Sequence, residues 1–469
     1  MKHTVKAAAA LILASMLAAV CLPLCAAAEE EFTILNPYEN VDWSKAVPYR
    51  TQLHTHTTAS DGKQTLADAI ENYYAHGYDF VAVTDHGVVD RGWTRPNHIP
   101  VYGIVDRPQT EPVYDFLHGL VGSQKIKGLG EERLREITEG VGRGGRAMLR
   151  VPYGIELNPN GKRVEVNSWF CDWGNFLFMP GGAYEYKYPV KNVHRAGGLS
   201  VINHPGESSF NSGLSFEELY EGENYGYVRN VQALLEIYPS LLGIELQGGA
   251  RDIKLWDTLL GNLAPLMRRN VFGIYTSDSH GADTVDARWV WALMEGQSVE
   301  NLRASLEAGA FFSAVRAVDH PATLAALGKA TGRDFGAAWS APAGLPEPMV
   351  TRITAAADTI GIEAENAEVI LWISDGKVVA TGNELLLAEH REALGAYVRA
   401  EVWGEGGILY TQPFLLSYEG KPGGQVFFDH ADAGWNILVI RTLLYPFLRT
   451  LDAIWNVLYF RLPALFGRR

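Results

Sequence analysis

Cysteine is nearly missing from this chain. Three occur in 469 residues; Cys21 and Cys25 fall in the N-terminal apolar stretch, which leaves Cys171 alone in the remainder. A lone cysteine forms no internal disulfide, so a disulfide-stapled scaffold is excluded and so is a metal site built from several thiolates. Positive charge is also short. Lys and Arg total 40 against 54 Asp and Glu, a formal net charge of −14, and no basic field is available to make nucleic acid a structural partner. Internal repeats are absent, as are low-complexity stretches beyond the N-terminus. The length is therefore to be divided among two or three globular units. With 47% apolar residues, 12 Trp and 21 Tyr, the chain has enough material for sizeable cores, and its stability must come from packing and from bound ligands.

The first 28 residues have the composition of a secretory signal. Lys2 and Lys6 open it, an apolar stretch follows, and Ala26-Ala27-Ala28 offers a cleavage site before Glu29. Leu24 before Cys25 and Val20 before Cys21 are larger than a lipoprotein signal prefers. An uncleaved anchor is the other reading. The expectation is an exported, extracytoplasmic protein.

Five histidines stand in four short segments, each after a run that reads as a buried strand. They are His54 and His56 in YRTQLHTH, His86 in FVAVTDH, His204 in GLSVINH and His280 in VFGIYTSDSH. Asp61, Asp85, Asp278 and Glu156 accompany them. One histidine after an apolar strand is commonly a hydrogen-bonded loop or core residue. The same pattern four times is hard to sustain as coincidence. Barrel-like α/β enzymes gather distant ligands at the carboxyl ends of successive strands in this way. Nitrogen and oxygen donors without sulfur suit Zn, Mn or Fe.

Along the chain, residues 48–57 read as a strand, TLADAIENYYAHGY as an amphipathic helix closed by Gly77, and DFVAVTDH as the next strand. Between 90 and 150 the regularity is lost, apart from a helix near 130–139. An insertion directly after a ligand-bearing strand end is expected to overhang the site as a lid or substrate-binding excursion. Arg143 and Arg146 within it are candidates for an anionic substrate; solvated arginines in a loop are the alternative. VPYGIEL brings Glu156, with RVEVNSWFCDW as its hairpin partner, and ALLEIYPSLLGIELQGG carries Glu245. The first domain is expected to end near residue 318, followed by a Gly-, Ala- and Pro-rich linker. Short alternating strands then predict a small β-sandwich over 348–418. The tail, 432–469, is apolar with Arg441, Arg449, Asp452 and Asn456 on one helical side. That pattern fits a helix lying in a membrane surface, kinked at Pro446, or one packed on the protein itself.

The motifs HTHTTASDG, AVTDHG, GIE, INHPG and SDSHG, in this order, resemble those of the PHP (polymerase and histidinol phosphatase) superfamily of metal-dependent hydrolases over roughly residues 48–318. The following segments AYVRAEVWG and TQPF resemble the carbaryl-hydrolase-like (CehA/McbA) branch. The resemblance implies an α/β fold, a distorted seven-stranded (β/α) barrel, holding two or three divalent ions. It makes His54 and His56 ligands of one ion and Glu156 the bridge to a second. His86 and His204 serve the further positions, Asp278 and His280 complete the set, and Asp61 stands where many relatives carry a ligand. Asp85 is implied as a carboxylate orienting a ligand or water, and His280 or an acid as the proton shuttle. One departure is visible: where many relatives carry a histidine after the bridging Glu, RVEVNSW offers Glu165 or Asn167.

Paired cations lower the pKa of a shared water and polarise a phosphoryl or carbonyl oxygen. The wider family implies phosphoester hydrolysis on a small-molecule or polymer-derived ester. The branch allows hydrolysis of a carbamate, ester or amide instead, and a non-catalytic binding module is the third reading.

Overall fold

The computed structural model describes residues 32–94, 127–158, 165–174, 186–206, 226–247, 250–266 and 269–424, with four isolated positions between 447 and 457. The expected signal sequence, residues 95–126 of the insertion and nearly all of the C-terminal tail lie outside the described residues. Among those described, no helix is long and apolar enough to cross a membrane.

The site-bearing part begins with β1 (Phe32–Leu35), β2 (Val47–Gln52), α1 (Leu66–Ala75) and β3 (Phe80–Val81). It continues through α2 (Glu131–Glu139), β4 (Leu149–Arg150), β5 (Ile155–Leu157), β6 (Val166–Trp169), α3 (Lys187–Arg195) and β7 (Leu199–Ile202). Then come α4 (Gly226–Ile237), β8 (Leu241–Glu245), α5 (Ala250–Leu263), β9 (Phe272–Ile274), β10 (Arg288–Met294), α6 (Val299–Ala308) and β11 (Phe311–Val315). Helix α1 starts where Thr65 accepts from the Asp68 N–H, buries Leu66, Ile70, Tyr73 and Tyr74, and stops at Gly77, whose φ of 79° is left-handed.

Residues 317–340 are not a bare linker. They hold β12 (Ala317–Val318), α7 (Pro321–Thr331) and β13 (Trp339–Ser340). Pro in the first turn, His320 as N-cap and left-handed Gly332 after the last turn frame α7. The Ala- and Gly-rich composition that suggests a linker is here a short helix with its start and stop signals in place. Beyond it run β14 (Met349–Ala356), β15 (Thr359–Glu365), β16 (Val369–Ser374), β17 (Lys377–Thr381), β18 (Glu384–Leu386), α8 (Leu387–His390), β19 (Tyr397–Gly404), β20 (Gly407–Tyr410) and β21 (Phe414–Tyr418).

Hydrogen bonding assembles an 11-stranded sheet with the path β1-β21-β19-β20-β11-β10-β2-β3-β4, to which β16 and β17 attach through β19. A second sheet runs β5-β6-β7-β8-β9, with β7, β8 and β9 parallel. The antiparallel partner expected behind Glu156 is β6. The chain steps from the first sheet to the second between β4 and β5. Single parallel bridges, Thr55 to Ser279 and His86 to Glu156, tie the edges of the two sheets together at the ligand-bearing end. The continuous ladder of a closed seven-stranded barrel is not formed. The architecture is mixed α/β with several sheets.

The C-terminal strands are not set apart by their own sheet, since β20 pairs with β11 and β1 pairs with β21. The three-stranded sheet β14-β15-β18 covers one face of β19 and β16, burying Ile353, Ile360, Trp372, Val398 and Val402 together. The opposite face of β19 points into the site-bearing part, so that Tyr397 and Trp403 share a core with Trp256 and Leu259 of α5.

Candidate metal centre

The strand ends deliver their polar residues to one place. His54 and His56 follow β2, Asp85 and His86 follow β3, and Glu156 lies within β5. His204 follows β7, Glu245 ends β8, and Asp278 and His280 follow β9. Gly154 makes room for this convergence: a Cβ there would stand 2.3 Å from the Val83 carbonyl oxygen. Without that close approach β5 could not set Glu156 against His86. Two residues of the centre hold left-handed backbone, Asp278 with φ 45° and His204 with φ 21°. Such conformations cost energy for non-glycine residues and persist where surrounding contacts impose them, commonly at functional sites.

The centre is built around facing donor atoms. Glu245 Oε1 lies 2.7 Å from His54 Nδ1, so Nδ1 donates to the carboxylate and Nε2 is the nitrogen turned toward a cation. His54 Nε2 then faces His56 Nε2 at 3.0 Å, Asp278 Oδ1 at 3.2 Å and Glu156 Oε2 at 3.5 Å. His56 Nε2 is itself 3.0 Å from Asp278 Oδ1 and 3.2 Å from Glu156 Oε2. Atoms bound to one cation by bonds of about 2.0–2.2 Å are separated by roughly 3.0–3.5 Å, the edges of an octahedron or tetrahedron. Glu156 Oε2 and Asp278 Oδ1 are buried, and among the described residues neither receives a hydrogen bond. Orphaned acceptors aimed at a common point are what a cation satisfies. The residues present fit a divalent ion.

Two further groups adjoin the first. His86 Nδ1 is 2.9 Å from Glu156 Oε2, and Glu165 closes a group with these two. His204 Nε2 stands 3.4 Å from Glu165 Oε2 and 3.6 Å from Glu156 Oε1. On the open side, Asp61 faces His56 Nδ1 at 3.4 Å, His86 Nε2 at 3.4 Å and His280 Nε2 at 3.3 Å. His280 spends Nδ1 on the Asp278 carbonyl at 2.9 Å, so its Nε2 is free to ligate. The side chains of Asp61 and His280 are 45% and 38% exposed, whereas those of His54 and His56 are sealed. Glu156 borders the first two groups, the position of a bridging carboxylate.

Electrostatics require positive charge here. Burial pushes His54 down, but Glu245, Asp278 and Glu156 outweigh it and hold its pKa well above the usual value. Against the same burial, the acids raise His56 to about 9 and His204 to about 10. Burial pushes Glu156 up, and His86 and His54 more than reverse that, holding it well below the carboxylate range. Glu165 is raised by burial and by neighbouring Glu156. Carboxylates this buried need a proton or a metal among them, because an uncompensated charge in such a place is costly.

The supporting contacts assign residues that the motifs leave open. Asp85 does not enter the donor cluster: Oδ1 accepts from the Thr57 N–H and Ser60 Oγ, and Oδ2 accepts from Thr57 Oγ1. It holds the HTHTTAS loop, and Ser60 Oγ in turn lies 3.1 Å from His56 Nδ1. A proton-transfer role is not what its contacts describe. Of Glu165 and Asn167, Glu165 joins the donors. Asn203 Nδ2 donates to Glu156 Oε1 at 2.6 Å, and Gln247 Nε2 donates to Asp278 Oδ2 at 2.8 Å. Glu245 also accepts from the His204 N–H and from Thr276 Oγ1. It is the chief residue that sequence reasoning leaves without a role, although LLGIEL has the same strand-then-acid pattern as VPYGIEL. Partners of this kind fix ring tautomer and ligand basicity. Glu245→Gln is therefore expected to weaken metal binding about 10- to 100-fold, checked by competition with a metallochromic chelator.

Arg143 and Arg146 are elsewhere. Both guanidiniums bind the fully buried Asp79 carboxylate, Arg143 through one nitrogen at 3.1 Å and Arg146 through two at 2.6 Å. Asp79 precedes β3, whereas the donor cluster gathers at the other end of that strand. These arginines neutralise a buried acid at the bottom of the sheet, so the expectation that they bind substrate is corrected. The double variant Arg143→Ala/Arg146→Ala should lose about 2 kcal/mol or more of stability by stranding Asp79, with KM unchanged. A raised KM at parental stability would contradict this.

No protein-family model matches the chain, and no curated protein does. Among solved structures it is similar to a two-domain protein from Bacteroides vulgatus described as containing a predicted PHP-like metal-dependent phosphoesterase. That match has 15% identity and a TM-score of 0.40 and covers 80% of this chain and 96% of the other. PsfC from Pseudomonas syringae is 16% identical at a TM-score of 0.30, covering 54% of this chain and 87% of its own. An amidohydrolase from Chromobacterium violaceum with bound sulfate is 14% identical at 0.27, covering 54% and 96%. Likenesses this distant say nothing about the reaction, and nothing in them speaks for the carbaryl-hydrolase-like branch.

Proposed function

We propose that the chain is a metal-dependent hydrolase of the PHP type, acting on phosphoesters at a centre of two or three divalent ions. The observation that carries this reading is the cluster around His54 Nε2, His56 Nε2, Glu156 Oε2 and Asp278 Oδ1, with donor separations of 3.0–3.5 Å. His54, His56, Asp278 and Glu156 would hold one ion. His86, Glu156 and Glu165, with His204 beside the two carboxylates, would hold another; or His86 would turn to Asp61 and His280 at an open third position, a neutral imidazole offering one nitrogen at a time. The chemistry that bound divalent ions supply is acidification of a water and polarisation of a phosphoryl oxygen.

The chain's own residues do the rest. Glu245 fixes the His54 tautomer, Asn203 and Gln247 aim the two carboxylates, and Asp85 holds the loop that carries His56. Entry is by the side where Asp61 and His280 are exposed, because the other donors are buried or only slightly exposed, none above 17%. Export directed by residues 1–28 belongs to the same reading and is supported by Ala26-Ala27-Ala28 before Glu29. The substrate is then an ester met outside the cytoplasm, and the apolar tail with Arg441 and Arg449 supports contact with a membrane surface.

The test is a panel of aryl phosphomonoester, phosphodiester, carboxylic ester and carbamate, assayed side by side with and without chelator. Chelator-sensitive turnover of a phosphoester is expected. Turnover of the carboxylic ester or carbamate alone would replace the reaction assigned here.

A further inference from the structure

Arg288 is placed where a substrate would be read. It opens β10, which runs antiparallel to β2 with Val290 opposite Thr51, so Arg288 lies at the end of the sheet from which His54 departs. Its carbonyl accepts from Gln52 Nε2 at 3.1 Å and from Ser277 Oγ at 2.8 Å. Those partners stand two residues before His54 and one before Asp278, which ties the Arg288 backbone to two strands of the metal centre.

Its side chain has a different situation from those of its neighbours. Arg50 and Arg316 are each engaged by Asp286 and Glu347. Arg288 as a residue is partly buried, and its side chain has no ion pair or hydrogen bond among the described residues. It lines a cavity of about 300 Å³ together with Gln247, Tyr275, Asp319 and Trp339. Gln247 is also the residue that donates to Asp278 Oδ2 at 2.8 Å. One side chain thus separates this cavity from a metal-centre carboxylate. Asp319, exposed at the cavity, makes no ion pair with Arg288. The volume is at the lower end for a small-molecule pocket. A guanidinium left uncommitted in a cavity that an indole also lines matches a planar organic group bearing an oxyanion.

We propose that Arg288 and Trp339 form a specificity subsite for a carboxylate or phosphate on the non-reacting part of the substrate. The substrate class is then a small ester with a second anionic group, one side chain's length from the bond that is cleaved. This rests on the hydrolase reading above, and its test separates the two.

The full-length, metal-loaded chain is assayed with phenyl phosphate and 4-carboxyphenyl phosphate, and its binding of benzoate is measured by calorimetry. The parent is expected to prefer the carboxylated ester in kcat/KM. Arg288→Ala should reduce that preference about tenfold or more and weaken benzoate by a similar factor, with Arg288→Lys in between and Trp339→Ala weakening benzoate as well. Equal benzoate affinity in the parent and Arg288→Ala would overturn the subsite, as would an unchanged preference. Benzoate binding that depends on Arg288 in a chain with no phosphoester turnover would keep the subsite and remove the reaction. Phenylphosphonate binding in the parent and in Arg288→Ala, set beside that of benzoate, tells which oxyanion Arg288 prefers.

Discussion

Glu156→Gln is expected to reduce turnover by roughly 10²–10³ or more and to lower the metal content at the same time. Two of the candidate groups use this carboxylate, and its Oε2 stands 2.9–3.5 Å from three imidazole nitrogens, those of His86, His56 and His54. In the variant, Asn203 Nδ2 still has an oxygen to donate to in place of Glu156 Oε1. The other terminus becomes an NH₂ that points hydrogens at ring nitrogens whose lone pairs face the centre. Charge compensation for the cations falls and their geometry is blocked in one change. The side chain is nearly isosteric, so the fold should persist, with an unchanged circular dichroism spectrum. The check is elemental analysis and rate on the same sample. A fully metallated Glu156→Gln protein with lost activity would assign Glu156 to proton transfer instead of to holding metal.

Arg399→Met is expected to cost about 3–5 kcal/mol in unfolding free energy, the scale for breaking a buried ion network by removing one partner. Arg399 is 1% exposed on β19. It donates to both oxygens of Asp257 on α5, each at 3.0 Å, and to Glu401 Oε1 at 2.7 Å. Its guanidinium carbon also lies 4.9 Å from the Trp256 ring centre. Without it two buried carboxylates face each other across the junction between the C-terminal strands and the site-bearing part. Tyr397 Oη still donates to Asp257 Oδ1 at 2.7 Å but carries no charge. Restoring neutrality with Asp257→Asn and Glu401→Gln should recover most of the loss. Urea denaturation reads both effects. A deficit below about 1 kcal/mol in the single variant would mean that solvent reaches the junction.

The histidines of the centre are legible in the sequence because each follows a run that reads as a strand, apolar before His86, His204 and His280 and mixed before His54 and His56, where YRTQL includes Arg50 and Gln52. His54, His56, His86, His204 and His280 meet for that reason. Glu245 has the same signature, yet the sequence gives no means of telling a ligand from the acid that holds a ligand. That distinction depends on which imidazole nitrogen faces which oxygen. The glycine in VPYGIEL is visible as a letter, whereas its reason, the pressure of the Val83 carbonyl, is not.

Other features need tertiary contacts to read. Alternation in AYVRAEVWG suggests one face toward solvent, but all eight residues of β19 are buried because α5 covers the charged face. Arg143 and Arg146, in a glycine-rich stretch, look available for substrate until Asp79 is seen beneath them. The closed barrel fails for a related reason. The strands fall into an 11-stranded and a 5-stranded sheet whose edges meet, among the described residues, only through single bridges at Thr55 and His86, and hydrophobic periodicity carries no information about whether a ladder closes.

The most direct measurement is the metal content of the full-length chain, by elemental analysis after exhaustive dialysis against metal-free buffer. Two or three equivalents of Zn, Mn or Fe per chain are predicted, falling by at least one equivalent in Glu156→Gln. Less than a tenth of an equivalent, after purification from metal-supplemented cultures, would contradict the account.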